Sequence, residues 1–185
     1  MNIFHRKGKK LFTDTLRNGV KLITDVDPKD VVSEQFRTVR TNINFSAVNQ
    51  KLKTIIFTSS AVSEGKSTVS ANLAVIWAQQ GQKVLFIDSD LRRPTLHTTF
   101  GLLNTNGLST VLSTDMNFNS VVQKTAIDNL SVITSGPIPP NPADLLASSR
   151  MKELISYFKT IYDVIILDVP PLLSVTDTQI IAAQV

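Results

Sequence analysis

Lys66 and Ser67 stand side by side behind Gly65 in the run Ser59-Ser60-Ala61-Val62-Ser63-Glu64-Gly65-Lys66-Ser67-Thr68. An ammonium and a hydroxyl at this spacing suit a polyphosphate. The loop's backbone N–H groups can cradle several phosphate oxygens, and Gly65 lets the backbone approach them without a Cβ. Lys66 can reach the β- and γ-phosphates and Ser67 can ligate Mg²⁺. Ser63, Glu64, Gly65, Lys66, Ser67 and Thr68 are therefore the expected ATP-binding set. The general pattern places glycine at position 60, where this chain has Ser60.

Carboxylates follow two apolar runs. Val84-Leu85-Phe86-Ile87-Asp88-Ser89-Asp90 ends in two, and Val164-Ile165-Ile166-Leu167-Asp168 ends in a third. Mg²⁺ takes carboxylate and water oxygens while bridging substrate phosphates. An aspartate after an apolar strand does this together with the loop serine. The blander reading is that each aspartate caps the turn after its strand. Asp88 or Asp90 could also accept a proton from an attacking hydroxyl. Arg92 and Arg93 could stabilise phosphate charge, pair with acids at a subunit contact, or be solvated.

The elements that must position these groups alternate. The sequence predicts strands over Thr54–Ser59, Lys83–Asp88, Leu130–Thr134 and Asp163–Asp168. It predicts helices over Ser33–Phe45, Lys66–Gln80 (stopped by Gly81), Ser149–Lys159 and from Asp177 onward. Gly107–Leu112 and Phe118–Lys124 read as short helices, and Val20–Thr24 as a possible short strand. Pro142 suits a first helical turn with Asn141 as cap. Such alternation implies an α/β fold, P-loop NTPase-like, with a mostly parallel sheet and helices on both faces. Ligands in such sheets sit beyond the strands' carboxyl ends, where every motif above falls.

Length and charge fit this reading. A chain of 185 residues is expected to form one domain with a real core, and no apolar run approaches the ~18 residues of a membrane span. It has no cysteine, which excludes disulfides and thiolate chemistry. Of the net charge of +4, the first 21 residues carry +5 and the remainder −1. Residues 1–30 are thus read as a basic arm and linker, solvated rather than lipid-bound, because nothing there forms a long amphipathic face. Basic charge confined to one arm, without interleaved aromatics, gives no expectation of a nucleic-acid partner.

Together these residues resemble the bacterial protein-tyrosine kinases of capsular and extracellular polysaccharide synthesis. The resemblance covers nearly the whole chain after the arm. It rests on the loop, on Phe86-Ile87-Asp88-Ser89-Asp90-Leu91-Arg92-Arg93-Pro94, on the strand ending at Asp168, and on Ser135-Gly136-Pro137-Ile138-Pro139-Pro140-Asn141-Pro142. It extends to Glu34, Arg37 and Arg40, a Glu-x-x-Arg-x-x-Arg pattern on one helix face. The resemblance implies autophosphorylation on tyrosine with ATP and Mg²⁺. Lys66, Asp88 and Asp90 would be catalytic, with Asp88 as base, and Ser67, Asp90 and Asp168 would serve the metal. It also implies ring-like homo-oligomers through Glu34, Arg37 and Arg40, for which an intrahelical pair is the plainer alternative. Protein tyrosines would be the substrates. A transmembrane chain-length-determinant-type activator would hold the kinase, cytoplasmic, at the inner face of the membrane.

Four departures qualify the resemblance. Val62-Ser63 stands where the family has Pro-Gly, and Val169 where it has threonine. Tyr157 and Tyr162 precede the last strand and do not form a C-terminal cluster. Residues 31–185 would be a kinase domain incomplete at its C-terminus. An ATPase switch of the partitioning type is a competing expectation, although such proteins carry a lysine at the position of Ala61. A nucleotide-binding regulatory protein without phosphotransfer is another.

Overall fold

The computed structural model describes residues 15, 17–47 and 52–185. Of the basic arm, residues 1–14 and 16 lie outside the described residues. The sheet has five strands: β1 Thr54–Phe57, β2 Val84–Asp88, β3 Val122–Lys124, β4 Leu130–Ile133 and β5 Val164–Asp168, in the order β1-β5-β2-β4-β3. All neighbours are parallel except β3 and β4. The helices are α1 Ile23–Val26, α2 Val31–Ser46, α3 Lys66–Gln79, α4 Leu96–Phe100, α5 Leu108–Ser113, α6 Pro142–Leu146, α7 Ser149–Lys159 and α8 Asp177–Ala182.

β2 and β5 are adjacent, and each is buried along its whole length. Strands covered on both faces must be apolar at every position, which is why Val-Leu-Phe-Ile and Val-Ile-Ile-Leu do not alternate with polar residues. The pleat divides their side chains. Leu85, Ile87, Ile165 and Leu167 join one core with residues of α5, α7 and α8. Val84, Phe86, Val164 and Ile166 join the other with Leu73, Ala74 and Trp77 of α3. Full burial of each large side chain stabilises by about 1.5–3 kcal/mol. The two strands are in register through their last residues, so Asp88 and Asp168 are direct partners.

α3 is apolar around its circumference because it is covered twice, by the sheet and by α1 and α2. Ser70 and Asn72 are its buried polar residues. Asn72 Oδ1 accepts from Thr24 N at 3.1 Å and Thr24 Oγ1 at 2.9 Å, and its Nδ2 donates to Lys21 O at 3.0 Å. These bonds correct the strand expected over Val20–Thr24. That segment has no ladder partner, and its buried polar groups are satisfied by Asn72 as it turns into α1. α2 begins earlier than expected, at Val31, because the Asp30 carboxylate accepts from Val32 N at 2.7 Å.

The second correction concerns Phe118–Lys124. Only Phe118–Val121 is helical, a 3₁₀ turn opened by Asn117, whose side chain accepts from Asn119 N at 2.9 Å. Val122–Lys124 then pairs antiparallel to β4, closing an edge that would otherwise be open. Asn141 does occupy the cap position before Pro142, but its amide donates to Asp144 at 3.0 Å and caps no helical N–H.

Candidate active site

The loop between β1 and α3 is shaped by two left-handed residues, Gly65 (φ +86°) and Ser63 (φ +64°). Serine at Ser63 adopts a conformation that costs an L-residue about 1–2 kcal/mol. Glu64 braces the strained loop: its Oε2 accepts from Ser60 N at 2.9 Å and Ala61 N at 3.1 Å. The Pro170-Pro171 turn holds the loop's other end, with Leu172 N donating to Ser59 O and Thr58 Oγ1 to Pro170 O. Val169 is buried in the core beneath this turn, so its missing hydroxyl does not leave a gap in the polar cluster.

Lys66 and the three acids converge. Lys66 Nζ lies 2.8 Å from Asp168 Oδ2 and 3.9 Å from Asp90 Oδ2, and all three side chains are almost fully buried. Ser67 Oγ donates to Asp168 Oδ2 at 2.7 Å, and Ser70 Oγ to Asp168 Oδ1 at 3.0 Å. Asp168 therefore fixes the lysine and the serine of the loop at once. Asp90 Oδ1 accepts from Arg93 N at 3.1 Å.

Asp88 Oδ2 accepts from Thr95 N and Leu96 N, each at 3.0 Å, at the first turn of α4, while its Oδ1 is buried without a partner. Capping the turn thus occupies only one of the two Asp88 oxygens. Burial, and then the neighbouring Asp168 charge, push the Asp88 carboxyl from 3.8 up to about 8. Burial also raises Asp90, against the opposing pull of Lys66.

With Asp88 mostly protonated at neutral pH, the cluster offers Asp90 and Asp168 against one buried lysine, an Asp88 oxygen without a partner, and a hydroxyl. That donor chemistry fits Mg²⁺. Among the described residues no group of three His, Cys, Asp or Glu side chains could by itself hold a metal ion. The fit is therefore to an ion shared with phosphate and water, the usual arrangement for Mg²⁺. The adjoining cleft, of about 170 Å³, is lined by residues 62–68 of the loop with Asp90, Arg93, Thr95 and Pro171.

Other expected positions lie elsewhere. Glu34, Arg37 and Arg40 are on α2. Arg37 pairs with Glu34 at 2.5 Å and donates to Pro28 O at 2.8 Å. Arg92 turns from the cleft and forks onto Asp177 of α8, at 2.9 and 3.1 Å. Sequence reasoning missed Ser70, Asp177, and the contribution of Thr15 and Val20 to the cleft wall. Ser70 was discoverable, since it lies one turn after Ser67 on the same helix face.

A mostly parallel sheet with helices on both faces, a Gly-Lys-Ser loop between β1 and α3, and acids ending the two central strands define the P-loop NTPase class of α/β proteins. Comparison with known proteins narrows this. The family described as AAA domain matches residues 52–184. Tyrosine-protein kinase YwqD of Bacillus subtilis (strain 168) is 52% identical over 160 residues, covering 86% of this chain and 68% of that protein. Among solved structures, the kinase domain of Escherichia coli tyrosine kinase ETK superposes with a TM-score of 0.86 at 36% identity, covering 91% of this chain and 66% of that one. The chimerical protein CapA2B2 superposes at 0.85 with 38% identity, covering 93% and 80%. The septum site-determining protein MinD of Pyrococcus horikoshii, complexed with Mg-ADP, is more distant, at 0.61 and 27% identity, covering 72% and 55%. The chain belongs to the bacterial tyrosine-protein kinases. Kinase relatives thus outrank the partitioning-type ATPases in both sequence and fold.

Proposed function

We propose that this chain transfers the γ-phosphoryl group of ATP to protein tyrosines, its own or a partner's, in the control of capsular or extracellular polysaccharide synthesis. The observation that carries the reading is the buried cluster of Lys66, Asp88, Asp90 and Asp168 at the mouth of the phosphate loop. The amides of residues 63–68 and Lys66 bind the phosphates. Ser67, Asp90 and Asp168 would hold Mg²⁺, which would supply positive charge against the phosphates. For Lys66 to reach a phosphate it must give up part of its contact with Asp168. Asp88 accepts the tyrosine hydroxyl proton through its unpaired Oδ1. The phenolic oxygen bonds to the γ-phosphorus as the bond to the ADP oxygen breaks. Asp88, raised to about 8, accepts the proton in its ionised form, and a value this close to the working pH suits the exchange.

The exposed apolar side chains Val31, Val39 and Phe45 on α2 favour association. In this reading copies of the chain meet through α2, with Glu34, Arg37 and Arg40 at the contact, in a ring. A transmembrane chain-length-determinant-type protein activates the kinase and holds it at the inner membrane face. Residues 1–30 are the arm, and residues 31–185 the kinase domain. Among the described residues no helix is long and apolar enough to cross a membrane. Transfer of label from ATP to tyrosine, lost in Asp88→Ala, tests the reading. ADP release without phosphotyrosine would overturn it.

A further inference from the structure

The segment preceding α1 is built into the site. Gly19 (φ +69°) packs so closely on α4 that a Cβ there would lie 2.5 Å from Thr99 Cα and 2.7 Å from Thr99 N. Only glycine combines that φ with that approach. The next residue donates from Val20 N to Thr99 Oγ1 at 3.2 Å. Thr99 Oγ1 in turn donates to Thr95 O at 2.9 Å. Thr95 N and Leu96 N, at the opposite end of the same turn, are the two groups that hold Asp88 Oδ2. Val20 also packs into the core shared by α3 and Leu96, and with Thr15 it lines the cleft. A continuous path of hydrogen bonds therefore runs from Val20, through the first turn of α4, to the carboxylate at the end of β2.

α4 has five residues, too few to hold its own shape in isolation. Its placement depends on what it packs against: Phe100 edge-on to Phe86 at 6.1 Å on the sheet side, and Gly19–Val20 on the outer side. A shift of this turn would move Asp88 without disturbing the loop of residues 63–68, which is anchored separately by Glu64 and by the Pro170-Pro171 turn.

We infer that Gly19 and Val20 are positioning residues for phosphotransfer: they seat Thr99 and thereby aim Asp88, so the chain entering the domain from the basic arm is coupled to the base. This rests on the reading of Asp88 as base. The coupling acts on the chemical step and not on nucleotide binding.

The test compares Thr99→Val, Thr99→Ser and Gly19→Ala in the full chain, each shown to be folded by circular dichroism, for kcat, for KM of ATP and for affinity toward a fluorescent ATP analogue. Thr99→Val keeps the β-branched shape and removes the hydroxyl. It is expected to lower kcat about tenfold, the scale of a sub-ångström misplacement, with nucleotide affinity within about twofold. Thr99→Ser should restore most of the rate, and Gly19→Ala should lose at least as much as Thr99→Val. If Gly19→Ala does not fold, the threonine pair carries the test. Wild-type kcat in folded Thr99→Val, failure of serine to rescue, or affinity falling in step with rate would overturn the inference. Asp88→Asn is measured alongside. If it keeps full activity the reading of Asp88 as base falls, whereas an inactive Asp88→Asn with wild-type-like Thr99→Val overturns the positioning inference alone.

Discussion

Lys66 Nζ lies 2.8 Å from Asp168 Oδ2, and the two side chains are 9% and 1% exposed. Each is thus the other's principal compensation in a largely buried setting. Lys66→Met would leave Asp168 uncompensated, and breaking a buried pair this way destabilises by about 3–5 kcal/mol. Lys66→Met is therefore expected to lower the melting temperature and to weaken ATP binding more than tenfold by calorimetry. Adding Asp168→Asn should restore much of the stability but none of the affinity. Unchanged ATP affinity in Lys66→Met would remove the lysine from the phosphate site.

Asp88 gives a pH-dependent prediction. Its carboxyl rises from 3.8 to about 8 in the folded protein. Below the unfolded value both states are protonated and the group does not disfavour folding. Between the two values the unfolded state ionises and the folded state does not, so stability falls as pH rises, and it levels off above the folded value. Asp88→Asn keeps an acceptor oxygen for Thr95 and Leu96 and cannot ionise. The melting temperature of Asp88→Asn minus that of the wild type should therefore be larger at pH about 9 than at pH about 5. An equal difference at both would contradict a raised Asp88.

Arg92 and Asp177 form a pair whose acid is fully buried and whose arginine is 41% exposed. Its loss should cost more than the ~0–1 kcal/mol of a surface pair and less than the ~3–5 kcal/mol of a fully buried one. Arg92→Ala is expected to destabilise by about 2 kcal/mol in urea unfolding, with Arg92→Lys intermediate because it cannot fork onto both oxygens. A wild-type midpoint for Arg92→Ala would contradict this.

The strands and the phosphate loop were legible because their signals are local. The runs ending at Asp88 and Asp168 are unbroken apolar segments, and Gly-Lys-Ser marks the start of α3 without reference to any partner. What the sequence hid depends on tertiary partners. Thr24 reads as part of a β-branched run until Asn72 supplies the acceptor that bends it into α1. Val122–Lys124 becomes a strand only because β4 offers an edge. Arg92 finds Asp177 across 85 residues, with nothing in the spacing to mark either.

Arg37 is engaged within its own protomer, by Glu34 and Pro28 O, and the Arg40 Nε is buried without a partner. If α2 joins copies of the chain, Arg37→Ala combined with Arg40→Ala should reduce the mass seen by light scattering while the monomer stays folded. An unchanged mass would place the contact elsewhere.

Phosphotransfer from ATP to tyrosine, with Asp88 as base, is open to direct measurement. The most direct measurement incubates the chain with ATP, Mg²⁺ and the cytoplasmic tail of a chain-length-determinant-type protein, then maps phosphotyrosine by mass spectrometry, with Asp88→Ala in parallel. Phosphotyrosine is expected with the wild type and none with Asp88→Ala. ADP formed without phosphotyrosine, or equal labelling by the variant, would contradict it.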